Sequence, residues 1–462
     1  MKGWLDSGCG LGCIRLASPQ SSIIYRIDRI DRIEHIEHIE KQLSLPTSTC
    51  NHSPISVRYR PLTDLNAIGM VVFLQGLIYS DDWRNICLLG RISIFHSAAH
   101  LLFQITENAS MLSHEIHCQY FSQEDLLGAG CLDLRMAMNA AEQSMIAYGA
   151  GEVLFPEKIV QIFNDQTQER INCLPATFKN EKICGVKWVS VFPPNPSKHG
   201  IQNLSAVVIL SEIDTGLPIA FMEGTLCSNM RVGAMGGIAA KHLARRDSQK
   251  IGFIGAGEQA KMHLIAMKTA VPTLEHCFVA AKTPEEEATF VSQMSPILGD
   301  MKIEAAGSDL QRATEDADII VTATSAQAPL LKAAWMKPGA FYSHVGGWED
   351  EYQVAKNCDK IVCDDWDTVK HRTQTLSRMY KAGELADEDI YCNLVEMVSG
   401  NFPGRESDQE KTYFNAVGLA FTDVAIAHAM YLRAKDAGMG QDLKVQHEMI
   451  FEHANLKDWV RL

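Results

Sequence analysis

Gly255-Ala256-Gly257-Glu258-Gln259-Ala260 follows the apolar run Ile251–Ile254 and precedes a helix-like stretch. In this order Gly255 permits a tight turn and Gly257 lets a pyrophosphate approach the backbone. Ala260 lets the helix pack close to the strand, and the free N–H groups at the helix start face the phosphates. A Gly-rich turn alone is often merely structural. Here an apolar strand precedes it and further β/α units follow, which is the context that dinucleotide binding requires. Gln259, in the first helical turn, is a cofactor-facing candidate. So is Thr324, where the strand pattern ADIIVTAT at 317–324 ends in small hydroxyl residues.

The next strand pattern ends at Ala280, Ala281, Lys282 and Thr283. An NAD site usually carries an acid there for the ribose hydroxyls, whereas a cation suits the extra phosphate of NADP. Lys282 and Thr283 therefore favour NADP(H) within an NAD(P)(H) site, against the plainer reading of a solvated lysine. Lys187 lies within the apolar strand pattern Gly185-Val186-Lys187-Trp188-Val189-Ser190. A buried ammonium is costly unless paired and its pKa shifts readily, so it can bind a carboxylate or deliver a proton. An edge-strand lysine reaching solvent is equally open. Arg231 stands near the start of a small-residue helix, where the dipole disfavours a cation. It suits an anionic ligand or a structural ion pair.

The elements that must position these groups begin near Gln119. Ser122 and Asp125 suit a helix start, and Leu132 to Tyr148 carries helical apolar spacing that Gly149 and Gly151 end. Strand patterns follow at 158–163, 183–191 and 205–211. A turn at Asp214-Thr215-Gly216-Leu217-Pro218 precedes a helix from about Ser228 to Ala244. Residues 250–365 then alternate strand and helix, which reads as a parallel sheet with right-handed crossovers. Residues 1–117 differ. Ile recurs at 24, 27, 30, 33, 36 and 39, a period of three that gives an α-helix no fixed face. They read as a poorly ordered low-complexity extension, with a presequence or a partner-binding arm as the alternatives.

The composition is that of a globular protein: 46% apolar and 21% charged residues over 462 positions. A net charge of −14 argues against nucleic acid or an anionic membrane as partner. Thirteen cysteines, without zinc-site spacing, read as reduced thiols in a cytoplasmic protein, and no metal site is expected. Residues 1–20 lack signal-peptide order, and the longest apolar run, Ala67 to Tyr79, is too short to span a bilayer.

Taken in order, GVKWVSVFPPNP, DTGLP, MRVGAMGGIAAKHLA, IGFIGAGEQAKMH and PGRESDQEKTYFNAVGLAFTDVA resemble the ornithine cyclodeaminase/mu-crystallin family over roughly residues 120–445. The resemblance implies an α/β fold: a Rossmann domain at 238–417 beside a smaller α/β substrate and dimerisation domain at 118–237, completed by 418–462. It also implies a homodimer. In cyclodeaminase members an arginine, a lysine and a second arginine hold the substrate carboxylate. The lysine matches Lys187 and the second arginine Arg231, while Lys158 stands where the first arginine is expected. Lysine keeps the charge and loses the bidentate fork. A cofactor-contacting threonine corresponds to Asn203. The family aspartate that binds the substrate's side-chain amine corresponds to Trp348 in gapless register, and Glu349, one residue later, replaces it only if the turn shifts.

These matches imply hydride transfer at the α-carbon of a carboxylate-bearing imine or amino acid, as in a ketimine reductase or an amino-acid dehydrogenase. The alternative is a cyclodeaminase turning ornithine into proline and ammonia, which needs the aspartate's role filled. A non-catalytic, crystallin-like NADP-binding protein is the reading from another class. Retention of Lys187 and Arg231 argues against it. A protein whose extension is its working part is opposed by the intact glycine fingerprint.

Overall fold

The computed structural model describes residues 115–164, 166–447, 451 and 456–461. Residues 1–114, which hold nearly all of the expected low-complexity extension, lie outside the described residues. Two eight-stranded sheets organise the described part.

The first sheet runs in the order Gln441–Gln446, Ile116–Phe121, Pro218–Glu223, Leu204–Glu212, Ile183–Val191, Glu169–Phe178 and Val153–Leu154. Ile159–Asn164 also pairs with Glu169–Phe178. All of its ladders are antiparallel except that between Ile116–Phe121 and Pro218–Glu223. Alternate side chains point to opposite faces of a strand. In Ile183–Val191 this puts Ile183, Gly185, Lys187 and Val189 inward and Trp188 outward. Lys187 thus occupies a core position by simple register. Helices Leu134–Gly149 and Ala420–Asp436 cover that inner face. The first starts at an Asp133 cap that accepts from the N–H groups of Arg135 and Met136. The helix Gln123–Gly128 opens with a Ser122/Asp125 capping box. The strand Gln441–Gln446 brings the end of the chain back to this sheet.

The helix Thr225–Leu243 ties the two sheets together, and the border expected between 237 and 238 falls within it. Its small residues allow close approach to the helix Glu258–Ala270. A Cβ on Gly233 would stand 2.8 Å from the Met262 carbonyl, and one on Gly237 would stand 3.0 Å from the Ala266 carbonyl oxygen.

The second sheet is wholly parallel. Its order is Lys302–Ala305, His276–Ala280, Lys250–Ile254, Ile319–Thr322, Phe341–His344, Thr412–Asn415, Lys360–Cys363 and Cys392–Asn393. The first strand, Lys250–Ile254, lies between the earlier and later halves, so the order reverses beside it. That is the switch point of a doubly wound sheet, where ligands bind beyond the carboxyl ends of the strands. Several of its strands are buried on both faces, as a parallel sheet covered by helices requires. No helix among the described residues is long and apolar enough to cross a membrane.

Candidate active site

The glycine fingerprint lies at the switch point. Gly255 has φ +107°, and a Cβ there would stand 2.4 Å from the Ala323 carbonyl oxygen. The turn therefore demands glycine. Gly257 caps the helix Glu258–Ala270 without a side-chain hydrogen bond, and a Cβ there meets nothing within 4 Å. Open space faces uncapped N–H groups at a helix start, and this suits a pyrophosphate. Ala260 is fully buried against the sheet. In the first turn of that helix, Gln259 Nε2 donates to Asn229 Oδ1 at 2.7 Å. Gln259 Oε1 and Ser228 Oγ are buried without a partner among the described residues. Unpaired polar atoms beside an open, N–H-rich turn fit a nicotinamide dinucleotide.

At the end of the second strand Lys282 is exposed, and Thr283 caps the helix Pro284–Met294 by accepting from Glu286 N–H. Glu287 is buried beneath them and accepts from the N–H groups of Ala281, Gly307 and Ser308. Its carboxylate is committed to backbone and is closed to a ribose. Thr324 adjoins Gly255, but its hydroxyl donates to Glu349 at 2.6 Å. Asn203 is exposed in the loop after Val191, and its carbonyl, not its amide, accepts from Phe192 N–H.

The second cluster is ionic and almost dry. Lys187 Nζ donates to Asp423 Oδ1 at 2.5 Å, and Arg231 Nε donates to the same oxygen at 3.2 Å. Asp423 Oδ2 is buried without a partner among the described residues. Burial lowers the pKa of Lys187, and the Asp423 carboxylate opposes that shift. Gly418, with φ +93°, packs on Arg231: a Cβ there would stand 2.6 Å from Nη1. The Gly418 N–H donates to Asp364 Oδ2 at 2.6 Å. Lys158 is half-buried and lies within electrostatic range of Asp364, Arg231 and Asp423. Burial, then the Arg372 charge, lowers its pKa to about 7. The structure thus brings Lys158, Lys187 and Arg231 together. One turn of the Thr225–Leu243 helix joins this cluster to the nucleotide cradle, since Asn229 bonds Gln259 while Arg231 bonds Asp423.

The turn after Phe341–His344 separates the two remaining candidates. Glu349 is fully buried. Its carboxylate accepts from Thr322 Oγ1 at 2.9 Å, Thr324 N–H and Oγ1 at 2.6 Å each, and Gly346 N–H at 2.7 Å. It locks the turn to the sheet and is unavailable to a substrate amine, so the turn is not shifted to let it replace the family aspartate, which corrects its assignment as a catalytic residue. Trp348 is half-buried in a short strand, Trp348–Asp350, that pairs with Gln327–Leu331. The Arg378 guanidinium rests 4.7 Å from its ring centroid, and its Nε1 is buried without a partner among the described residues.

Sequence reasoning missed Asp423, Asp364 and Arg372. Asp423 was legible as a lone acid early in the apolar helix Ala420–Asp436, and Asp364 as an acid directly after the apolar strand Lys360–Cys363. Arg372 lies in a loop and carried no local signal.

A dinucleotide cradle at a sheet switch point, joined by one helix to a buried lysine–arginine–aspartate cluster, fits a nicotinamide-dependent oxidoreductase. The chain belongs to the ornithine cyclodeaminase/mu-crystallin family, whose model matches residues 129–438. It is 34% identical to an alanine dehydrogenase of Archaeoglobus fulgidus over 315 residues, covering 67% of this chain and 93% of that one. Its structure is similar to that of the Thermococcus litoralis Δ1-pyrroline-2-carboxylate reductase in complex with NADH and L-proline. That match has a TM-score of 0.67 and 30% identity, and covers 70% of this chain and 100% of that one. It is also similar to an archaeal alanine dehydrogenase dimer with bound NAD, at a TM-score of 0.66 and 30% identity over 72% of this chain and 100% of that one.

Proposed function

We propose that this chain is a reductase of carboxylate-bearing imines, running with net oxidation of a reduced nicotinamide dinucleotide. The observation that carries it is the single helix turn that sets Asn229 on the glycine fingerprint and Arg231 on Asp423. The dinucleotide supplies the hydride. Lys187, Arg231 and Lys158 hold the α-carboxylate, so the imine carbon is presented at a fixed position beside the cradle. Lys187 Nζ supplies the proton that the imine nitrogen gains as the C=N bond becomes C–N. Trp348 forms an apolar wall that keeps water from the site.

The cyclodeaminase alternative needs a carboxylate for the substrate's second ammonium. Glu349 is spent on the turn, and the face of Trp348 is taken by the Arg378 guanidinium. A second cation there would meet repulsion. The names of the two solved relatives at 30% identity, a pyrroline-2-carboxylate reductase and an alanine dehydrogenase, support the reductase reading.

The finer cofactor preference is NADP(H). It rests on the exposed Lys282 and on the burial of Glu287, the acid beneath the strand end. The chain acts as a homodimer through the outward face of the first sheet. There the register sets Ile159, Cys173, Trp188 and Val207 in one cross-strand row, and Ile159 and Phe163 are 60% and 59% exposed. Such a row on one sheet face suits a second copy. The nine described cysteines are free thiols, which supports a cytoplasmic setting.

The test is nicotinamide absorbance with NADPH and α-imino acids. Turnover should fall about a hundredfold in Arg231→Gln, a loss of roughly 2–3 kcal/mol of transition-state binding. Unchanged turnover in that variant would remove the cluster from the reaction.

A further inference from the structure

The strand Phe341–His344 lies between Ile319–Thr322 and Thr412–Asn415 in the parallel sheet. The turn 345–347 that follows it is held from both sides by buried side chains. On one side the Glu349 carboxylate accepts from Gly346 N–H, from Thr322 Oγ1, and from the N–H and Oγ1 of Thr324. On the other side stands Gln374, directly before the helix Thr375–Lys381. Its Nε2 donates to the Gly346 carbonyl at 3.0 Å and to the Ala416 carbonyl at 3.1 Å. Its Oε1 accepts from Asn415 Nδ2 at 2.9 Å. Both amide protons and the oxygen of Gln374 are therefore committed, and a rotated amide would set its oxygen against two carbonyls.

Each brace continues to one half of the site by direct contact. Thr324 packs on the glycine fingerprint: a Cβ on Gly255 would stand 2.4 Å from the Ala323 carbonyl oxygen and 3.1 Å from Thr324 Cγ2. The two turns also touch each other, since a Cβ on Gly346 would stand 2.3 Å from the Thr324 carbonyl oxygen. From Ala416 the chain runs through Val417 and Gly418, whose N–H groups donate to Asp364. Gly418 is the residue packed on the Arg231 guanidinium. An unbroken series of contacts thus joins Gly255 to Arg231 through the turn 345–347. Reacting atoms must be held about 3–3.5 Å apart, and about 1 Å of misplacement can cost on the order of 100-fold in rate, even when its cause is remote.

We infer that Glu349 and Gln374 are positioning residues for hydride transfer: they hold the turn 345–347 so that the glycine fingerprint and Arg231 keep one separation. This rests on the reductase reading, in which the fingerprint holds the hydride donor and Arg231 the substrate carboxylate. Glu349 acts on the cofactor end through Thr324. Gln374 ties that end to the segment 416–418 and so to the substrate end.

Two variants of the full chain test the brace. Gln374→Met is similar in volume and removes all three hydrogen bonds. By calorimetry it should bind NADP+, and propionate at saturating NADP+, within about threefold of the parent. Its kcat for an α-imino acid, counted per NADP+ site, should fall about tenfold or more with KM within about threefold. A merely structural role would lower the thermal midpoint and leave kcat per site unchanged. Glu349→Gln keeps the shape but turns an amide against the N–H groups of Thr324 or Gly346. It should weaken NADP+ about tenfold and leave propionate within about threefold. Parent kcat per site in Gln374→Met, or parent NADP+ affinity in a folded Glu349→Gln, overturns the brace. If Glu349→Gln does not fold, Gln374→Met decides alone. If the parent reduces no imine, the reductase reading fails, and selective loss of NADP+ affinity in Glu349→Gln still upholds the brace.

Discussion

Lys187 and Asp423 stand 236 positions apart in the chain, yet Nζ and Oδ1 meet at 2.5 Å with both side chains almost wholly buried. The pair joins the middle of the first sheet to the helix Ala420–Asp436. Arg231 reaches the same oxygen from a third element. Asp423→Ala leaves two buried or half-buried cations without their counter-ion, and should cost about 3–5 kcal/mol of stability. Lys187→Met leaves Asp423 still paired with Arg231 and should cost less. Chemical denaturation of the two variants checks this ordering, and a reversed order would place the stabilising contact elsewhere.

Gly418 controls the pose of Arg231. A Cβ there would meet the guanidinium at 2.6–2.8 Å, and the positive φ adds strain for any other residue. Gly418→Ala should push Arg231 off Asp423 and raise KM for carboxylate substrates about tenfold, equivalent to roughly 1.4 kcal/mol. Cofactor affinity should not change. An equal loss of cofactor binding would show that the disturbance spreads beyond Arg231.

Much of this was legible in the sequence, and the limits have physical causes. The strand Ile183–Val191 and the glycine fingerprint announced themselves because periodicity and turn chemistry are local. The strand Glu169–Phe178 did not, because Pro175 and polar residues break the apolar alternation that marks a strand. Lys158, Lys187 and Arg231 were named as a group through the family resemblance. Asp423, the ion-pair partner of Lys187 and Arg231, escaped as a partner, since pairings over 236 and 192 positions leave no spacing to read. The aligned position of the family aspartate fell on Trp348, with Glu349 as a replacement if the turn shifted; burial gives Glu349 a turn to hold instead.

The two fingerprint glycines should fail differently. Gly255→Ala meets the Ala323 carbonyl and an unfavourable φ, so it should lower thermal stability as well as cofactor binding. Gly257→Val enters open space within the protein, so it should fold as the parent does and lose dinucleotide affinity by tenfold or more. Thermal midpoints with and without NADPH distinguish the two. A folded Gly257→Val that binds NADPH normally would place the pyrophosphate elsewhere.

Lys158 should give the reaction a basic limb. Its pKa is lowered to about 7 by burial and by Arg372. The ammonium is therefore present below about pH 7 and lost above it, so kcat/KM for an anionic substrate should fall as pH rises through that value. Lys158→Arg keeps its charge over this range and should remove the limb. A limb that persists in Lys158→Arg belongs to another group, in the enzyme or in the substrate.

An imine reductase consumes one reduced nicotinamide dinucleotide per product, whereas a cyclodeaminase returns the hydride it takes. The most direct measurement supplies NADPH with Δ1-pyrroline-2-carboxylate, or with a 2-oxo acid and ammonia, and compares NADPH oxidised with amino acid formed. A parallel reaction supplies ornithine and catalytic NAD+. One NADPH should be lost per amino acid formed in the first reaction, and little proline should appear in the second. Efficient release of proline and ammonia from ornithine, without imine-dependent NADPH oxidation, would contradict the reductase assignment.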